Sequence, residues 1–266
     1  MAVDMAGLIA DLSAETDDLV SIVATLEEGA WLTPTPSAGW DIKDQVSHLA
    51  YFDETARLSA TDPEAFRAGA AELVALGDDF TGHIARSHHG RPAADLLAWF
   101  EQARRDLLGT YGALDPATKL PWYGPPLSAA SAVTARLMET WAHGQDVADA
   151  LTVVRRPTAR LRHVAHIGVS TIGWSFTVHG LEPPSTPVHV SLTAPDGSTW
   201  AWGLSDAADQ VLAPALDFCL LVTQRRHRAD LDVTTTGPVA ARYVELAQAF
   251  AGPPGNGRQP GLTVPS

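Results

Sequence analysis

Apolar residues recur at helical spacing through the first half of the chain, and this pattern limits the folds that the chain can adopt. In the first segment, Leu8, Leu12 and Leu19 lie on one face of the predicted helix. Asp41, with Asp44 three residues later, is predicted to cap the second segment. The predicted helices cover about residues 5–28, 41–59, 62–75, 92–114 and 128–151. Because four of them are long and amphipathic, we predict a four-helix bundle.

The pattern changes after Arg156-Pro157, where shorter elements of both types alternate. An alternating run, a turn containing Asp196 and Gly197, and a second run rich in aromatic residues are typical of a β-hairpin. The predicted elements are a helix at 158–178, strands at 187–192 and 199–202, a helix at 206–226, a strand at 231–236 and a helix at 238–250. We therefore expect an α+β, mainly α protein with a bundle domain at 1–156 and a smaller α+β domain at 157–266.

Charge and composition exclude several classes of function. A net charge of -13 argues against binding to nucleic acid or to an anionic membrane surface, because both need a basic face. No apolar run reaches the length of a membrane span, and the start of the chain lacks the basic region of a signal peptide. The single Cys219 excludes an internal disulfide and a zinc site built from several cysteines. We expect a cytoplasmic protein.

Glu139 and His143 are the strongest candidates for a site. Positions i and i+4 of a helix share a face, so one divalent ion could contact both side chains. A third ligand from another helix, His48, would complete two histidines and one carboxylate, a set that suits an open catalytic site. The alternative is that Glu139 and His143 belong to a solvated helix face.

Three stretches carry a resemblance to a known family. They are Gly39-Trp-Asp-Ile-Lys-Asp-Gln-Val-Ser-His-Leu-Ala50, Glu139-Thr-Trp-Ala-His-Gly-Gln-Asp146 and Phe218-Cys-Leu-Leu-Val-Thr-Gln-Arg-Arg-His227. With the two-domain layout, they make the chain resemble the mycothiol-dependent maleylpyruvate isomerase family, within the DinB-like superfamily of metal-binding four-helix bundles. The third stretch and Ala249–Pro254 look closer to a less characterised actinobacterial branch. The resemblance implies that His48, Glu139 and His143 hold a divalent metal, usually zinc.

Further residues could complete the site. Asp146 is a candidate to fix a ligating imidazole through its second nitrogen. Gln45, one turn before His48, could line the same cavity or lie at the surface. Trp122 and Tyr123, in the loop before the ligand-bearing helix, could cover the cavity or pack between the domains.

Arg225 and Arg226 lie in the one concentrated basic patch of this acidic chain. They could complement the dipole at a helix C-terminus, or they could bind an anion in a planar two-point mode. In the family that the chain resembles, an arginine of the C-terminal domain contributes to the active site between the domains. Arg225 and Arg226 are the nearest candidates for that role.

These features together predict a metal- and thiol-dependent isomerase or S-transferase. A metal with three protein ligands keeps a position for a thiolate, and the resemblance indicates mycothiol as the external thiol. The expected partners are a low-molecular-weight thiol and a small, anionic substrate, and the expected assembly is a monomer or homodimer. The alternatives are a metal-dependent hydrolase or lyase that uses water without a thiol, and a non-catalytic metal-binding protein.

Overall fold

The chain divides into two compact units, Met1–Val153 and Val154–Ser266. The computed structural model describes residues 3–77 and 80–261. Unit 1 contains the helices α1 (Met5–Val23), α2 (Ile42–Thr61), α3 (Pro63–Val74), α4 (Phe80–His88), α5 (Ala93–Gly112) and α6 (Ala129–Ala150), and the two-residue strands β1 (Lys119–Leu120) and β2 (Leu127–Ser128). The mainly α, α+β fold that we expected from the sequence is confirmed.

The four long helices of unit 1 form the predicted bundle. Helix α1 packs against α5 and α6, and α2 packs against the same two helices. The apolar stripes of these helices meet in one core, together with Trp31 of a short 3-10 helix, Glu28–Leu32. Its fully buried members include Leu19, Val23, Ile42, Val46, Leu49, Leu96, Phe100 and Val147.

Local capping fixes where the two helices that matter for the site begin. Asp41 accepts a hydrogen bond from the Asp44 amide at 3.0 Å, and the Asp44 carboxylate accepts one from the Asp41 amide at 3.0 Å. This capping box confirms the predicted N-cap of α2. The Ser128 hydroxyl caps α6 by accepting from the Ser131 amide at 3.1 Å. The caps set the register of α2 and α6, and therefore which of their residues face the core.

Unit 2 combines a four-stranded sheet with short helices. Its elements are α7 (Leu161–Ser170), α8 (Ile172–Val178), β3 (Val188–Thr193), β4 (Thr199–Trp202), β5 (Asp209–Pro214), α9 (Ala215–Val222), β6 (Thr234–Thr236) and α10 (Pro238–Leu246). The strand order is β4-β3-β5-β6, and only the β3–β5 pair is parallel. The predicted hairpin is present, because β3 and β4 pair across a turn in which Gly197 adopts a positive φ of 83°.

Two predictions for unit 2 are wrong. The helix predicted at 206–226 is instead strand β5 followed by helix α9. Burial alternates along β5, which ends at Pro214. Because proline favours the start of a helix and cannot continue one, α9 begins at the next residue. The helix predicted at 158–178 is two helices, and the Thr171 hydroxyl between them bonds to the carbonyls of Ile167 and Gly168.

Helix α4 is not among the helices that the sequence predicts. His88 is the last residue of α4, and its ring lies 4.6 Å from the Trp99 ring. His88 is half-buried there, whereas His89 is exposed. Among the described residues, no helix combines the length and the apolarity that crossing a membrane requires.

Candidate metal centre

Three side chains from two helices of unit 1 meet at one point. His48 lies in the second turn of α2, and Glu139 and His143 lie one turn apart on α6. Glu139 Oε2 is 3.4 Å from His48 Nε2 and 3.1 Å from His143 Nε2. Since one donor atom from each residue falls within 4.8 Å of the other two, the three could share one ion. We call these three residues the His–Glu cluster.

The spacing of the donor atoms suits a small divalent ion. Ligand atoms that lie about 2.0–2.2 Å from a tetrahedral zinc ion are separated from each other by about 3.4 Å. The two separations to Glu139 Oε2, 3.4 Å and 3.1 Å, are close to that value. Two imidazoles and one carboxylate leave a fourth position of such an ion to water or to a substrate atom. The residues therefore fit an open zinc-type site.

Burial and neighbouring groups keep two of the donors, His48 and Glu139, in the states that bind metal. Burial, followed by the nearby His143, lowers the pKa of His48 to about 4, so that this imidazole is neutral at pH 7. Burial alone would raise the pKa of Glu139, but the close contacts of its carboxylate with His143 and His48 and the charge of Arg136 hold it well below its usual range. Neutral imidazole and carboxylate are the forms that coordinate metals.

Gln45 sets the orientation of His143. The Thr35 hydroxyl donates to the Trp40 carbonyl at 2.9 Å and accepts from the Gln45 amide nitrogen at 2.8 Å. Gln45 Oε1 is therefore left to accept from His143 Nδ1 at 2.5 Å. This places the proton of His143 on Nδ1 and leaves the Nε2 lone pair for the His–Glu cluster.

Aromatic rings enclose the two imidazoles. The Trp40 ring is stacked on His143 at a centroid distance of 5.8 Å and an interplanar angle of 13°, and it lies 5.4 Å from the His48 ring. The Phe52 ring lies 4.6 Å from His48 on the same helix. Apolar walls of this kind exclude water and strengthen electrostatic interactions within the site.

Comparison with known proteins identifies the family to which the chain belongs. The model of the mycothiol maleylpyruvate isomerase N-terminal domain family matches residues 12–148, which is more than half of the chain and includes the whole His–Glu cluster. The chain belongs to this family. Two uncharacterized proteins of Mycobacterium tuberculosis, from strains CDC 1551 and H37Rv, are each 48% identical over 259 residues, which cover 96% of this chain and 99% of theirs.

Solved structures of a mycothiol-dependent maleylpyruvate isomerase share the fold. A crystal structure of a mutant of that enzyme aligns with a TM-score of 0.60 at 13% identity, covering 88% of this chain and 93% of the other. A second crystal structure of the enzyme aligns with a TM-score of 0.56 at 14% identity and the same coverage. At this identity the likeness supports the shared fold.

A second family model, described as wyosine base formation, matches residues 184–236. The match spans strands β3 to β6 of unit 2 and includes no residue of the His–Glu cluster. The similarity therefore concerns the sheet of unit 2.

Three further residues that the sequence predicts for the site also lie in unit 1: Gln45, Asp146 and Tyr123. Gln45 is fully buried and contacts His143, which excludes a surface role. Asp146 is also fully buried and accepts a hydrogen bond from the Ser37 hydroxyl at 2.9 Å. Tyr123 packs edge-on against Phe52 at 5.6 Å, which makes it part of the layer behind His48.

Trp122 points to a different neighbour within unit 1. Its ring is stacked on Phe66 at 5.9 Å and lies 5.1 Å from the ring of Tyr123. It belongs to an aromatic group in which Tyr123 lies nearer to Phe52 and His48.

Arg225 and Arg226 lie in unit 2, a few residues after the end of α9 at Val222. Arg225 Nη1 donates to the Thr223 carbonyl at 2.7 Å, and Arg226 Nη1 donates to the Arg225 carbonyl at 2.7 Å. These contacts place both guanidinium groups at the C-terminus of a helix, where cations are favourable. A part in the site for either arginine stays a prediction.

Arg136 lies beside the His–Glu cluster and is not among the residues that the sequence predicts for the site. It lies on α6 one turn before Glu139, and its Nη2 is 3.7 Å from Glu139 Oε2. The sequence carries a signal for it, because positions i and i+3 of a helix share a face. From the sequence alone, however, a single arginine on a polar helix face is expected to lie at the surface. Whether it does so depends on how α6 packs.

A separate polar cluster lies nearby in the bundle. Arg104 on α5 donates from Nε to Asp53 Oδ2 at 2.6 Å and from Nη2 to Asp53 Oδ1 at 3.2 Å. It also donates to the hydroxyls of Thr16 at 2.5 Å and Thr140 at 3.0 Å. We call Thr16, Asp53, Arg104 and Thr140 the Arg104 cluster. It takes one residue from each long helix of the bundle.

A second group with metal-binding side chains lies at the start of α2. His89 Nδ1 is 3.4 Å from Asp44 Oδ1, and His89 Nε2 is 3.6 Å from Asp41 Oδ2. The side chain of His89 is 48% exposed, and the two carboxylates already form the capping box of α2. Helix capping accounts for this group.

Proposed function

We propose that this protein is a metal- and thiol-dependent isomerase or S-transferase that acts on a small anionic molecule, with mycothiol as the thiol cosubstrate. The observation that supports the proposal is the convergence of His48 Nε2, Glu139 Oε2 and His143 Nε2 in unit 1. Membership of the mycothiol maleylpyruvate isomerase family supports the choice of thiol.

The His–Glu cluster would hold the ion, and contacts from neighbouring side chains would orient its donors and limit the access of water. When bound, a divalent ion such as zinc supplies positive charge that lowers the pKa of a coordinated thiol. Gln45 keeps the His143 proton on Nδ1, and the Trp40 and Phe52 rings limit the access of water. The rigid helices α2 and α6 hold the donors, which favours a preorganised site.

The protein's own cysteine does not supply the thiol. Cys219 is fully buried in α9, its thiol donates to the Leu161 carbonyl, and burial raises its pKa well above the usual range. A buried thiol with a raised pKa is a poor nucleophile. The reactive thiolate therefore comes from a separate small molecule.

An external thiolate supports either of two reactions. Its addition to an activated double bond forms a C–S bond and leaves a single bond about which the molecule can rotate. Elimination of the same thiolate then restores the double bond as the other isomer, with no net change in composition. Attack on another electrophilic carbon with loss of a leaving group gives S-transfer instead.

The test combines metal analysis with turnover. Purified protein is analysed for bound metal, loaded with zinc and then incubated with mycothiol and a panel of unsaturated carboxylic acids that includes maleylpyruvate. We expect isomerised or thiol-conjugated products by mass spectrometry. Omission of mycothiol and addition of a chelator should each abolish them.

Two variants separate the site from the rest of unit 1. His143→Ala should lose most bound zinc and all turnover while keeping its helical circular dichroism, because a chain of this length does not need a metal to build its core. His83→Ala, a change at an exposed histidine on α4, is the matched control. Full turnover with metal but without thiol would instead favour a hydrolase or lyase, and a protein that binds no metal would contradict the proposal. Cytoplasmic location and a monomeric or homodimeric state remain predictions.

A further inference from the structure

Arg136 is buried beside the His–Glu cluster without an adequate partner. Its side chain is 6% exposed, and its guanidinium lies 5.9 Å from the centre of the Phe52 ring. Among the described residues, the carboxylate paired with it is that of Glu139, at 3.7 Å, which is longer than a hydrogen bond. Nη1 is buried, and no hydrogen-bond partner for it occurs in the described parts of the chain.

Arg104 shows that a buried arginine in this bundle can have its hydrogen-bond partners. Arg104 is equally buried, and its guanidinium is satisfied by one carboxylate and two hydroxyls. A buried guanidinium without hydrogen bonds is costly, because each unsatisfied polar group loses its interaction with water. Arg136 therefore has unused capacity to bind an anion.

Charge balance indicates how many negative charges the site can accept. A divalent ion in the His–Glu cluster and the guanidinium of Arg136 contribute three positive charges, and Glu139 contributes one negative charge. Two negative charges are then needed for neutrality, which buried sites favour strongly. One thiolate supplies the first, and one singly charged group on the substrate would supply the second.

We propose that Arg136 is the residue that binds a carboxylate of the substrate. This inference rests on the proposed function, which identifies the other molecule bound at the site as a thiol. A carboxylate matches the planar pair of donors that a guanidinium offers. The Phe52 ring beneath Arg136, with Tyr123 against it, suits a flat unsaturated or aromatic carbon skeleton. Glu139 has the most exposed side chain of the cluster, at 21%.

Calorimetric binding of trans-cinnamate and of its neutral amide tests the proposal without any turnover. Wild-type protein should bind cinnamate more tightly than cinnamamide, in both zinc-loaded and metal-free form. In Arg136→Gln, cinnamate binding should weaken by about 10- to 100-fold while cinnamamide binding stays unchanged, since only the anion uses the guanidinium. Arg105→Gln, which changes an exposed arginine on α5, is the control and should behave as wild type.

The outcomes separate this proposal from the proposed function. If wild-type protein binds no zinc, the proposed function fails, whereas the cinnamate preference of metal-free protein still tests Arg136. Wild-type cinnamate affinity in a folded Arg136→Gln protein would overturn the inference. So would a change in the visible spectrum of cobalt-substituted protein on addition of cinnamate that persists in Arg136→Gln, because the carboxylate would then bind the metal.

A variant that keeps the charge guards against loss of the fold. If Arg136→Gln does not fold, Arg136→Lys replaces the two-point donor with a single ammonium group. We expect Arg136→Lys to bind cinnamate more weakly than wild type and cinnamamide equally well. Unchanged cinnamate binding in the folded lysine variant would overturn the inference.

Discussion

Two buried polar clusters lie close together on the same helices of unit 1 and differ in how fully their hydrogen bonds are made. Both use α2 and α6, and Glu139 of one precedes Thr140 of the other in sequence. In the Arg104 cluster, within the residues that the structure describes, no side-chain nitrogen or oxygen is buried without a partner. Beside the His–Glu cluster, His48 Nδ1 and Arg136 Nη1 are buried and have no hydrogen-bond partner among the same described residues.

The difference indicates separate roles for the two clusters. A closed network stabilises a bundle and has no free donor or acceptor for a ligand. An incomplete network costs stability and is retained where a ligand completes it. We therefore expect changes in the Arg104 cluster to affect folding, and changes in the His–Glu cluster to affect metal and substrate.

Breaking the Arg104 cluster should have the largest effect on stability. Arg104→Met leaves the Asp53 carboxylate buried and uncompensated, which should lower the free energy of unfolding by about 3–5 kcal/mol in urea titrations. Zinc stoichiometry of the folded variant should stay as in wild type. The double variant Asp53→Leu/Arg104→Met should recover most of the loss, since it removes both charges. A loss below about 1 kcal/mol in the single variant would contradict a structural role.

Removing the support of His143 should act on the metal instead. Gln45→Ala leaves Nδ1 without its acceptor, and zinc affinity should fall roughly 10- to 100-fold in chelator competition. Gln145→Ala is the matched control, because this glutamine lies on α6 and bonds to Asp149 rather than to the cluster. Equal zinc affinity in both variants would show that Gln45 does not orient His143.

Acid should destabilise the metal-free protein through His48. The folded pKa of about 4 lies below the unfolded value of about 6.5, so the unfolded chain binds the proton first as the pH falls. Stability is therefore complete above pH 6.5 and is lost between pH 6.5 and 4, by about 2 kcal/mol at pH 5. Glu139, His143 and Arg136 are the charged or titratable groups that face His48 from α6.

Urea titrations of chelator-treated protein at pH 7.5 and pH 5 measure this loss. His48→Asn should show a smaller difference between the two pH values than wild type. An identical difference in both proteins would assign the acid sensitivity to other groups.

The smallest effect should come from a single hydroxyl of the closed cluster. Thr140→Val removes one acceptor from Arg104 and should lower the free energy of unfolding by about 1 kcal/mol, with no change in zinc affinity. Thr134→Val on the same helix is the control, because its hydroxyl bonds to the Ala130 carbonyl of its own helix. A large loss of zinc in Thr140→Val would mean that the two clusters are coupled.

The predictions from sequence that are confirmed depend on residues close to each other in the chain. The apolar periodicity locates α1, α2, α5 and α6, and the Asp41 capping box marks the start of α2 to the residue. The hairpin of β3 and β4 follows from its alternation and its turn. Strand β5 is missed because its apolar residues continue into α9, so that the same run of residues fits one long helix. Its parallel partner β3 lies about 20 residues away in the chain, so the pairing leaves no local signal.

The sequence by itself determined the helices of unit 1 and the i,i+4 pair of Glu139 and His143, because both depend on spacing along one helix. Only the tertiary structure decided that His48, 91 residues from Glu139, reaches the same point, and that Gln45 fixes the tautomer of His143. It also decided that Arg136 is buried with an unused guanidinium nitrogen. Burial and hydrogen-bond completion depend on how the helices pack against each other, and no local pattern contains that information.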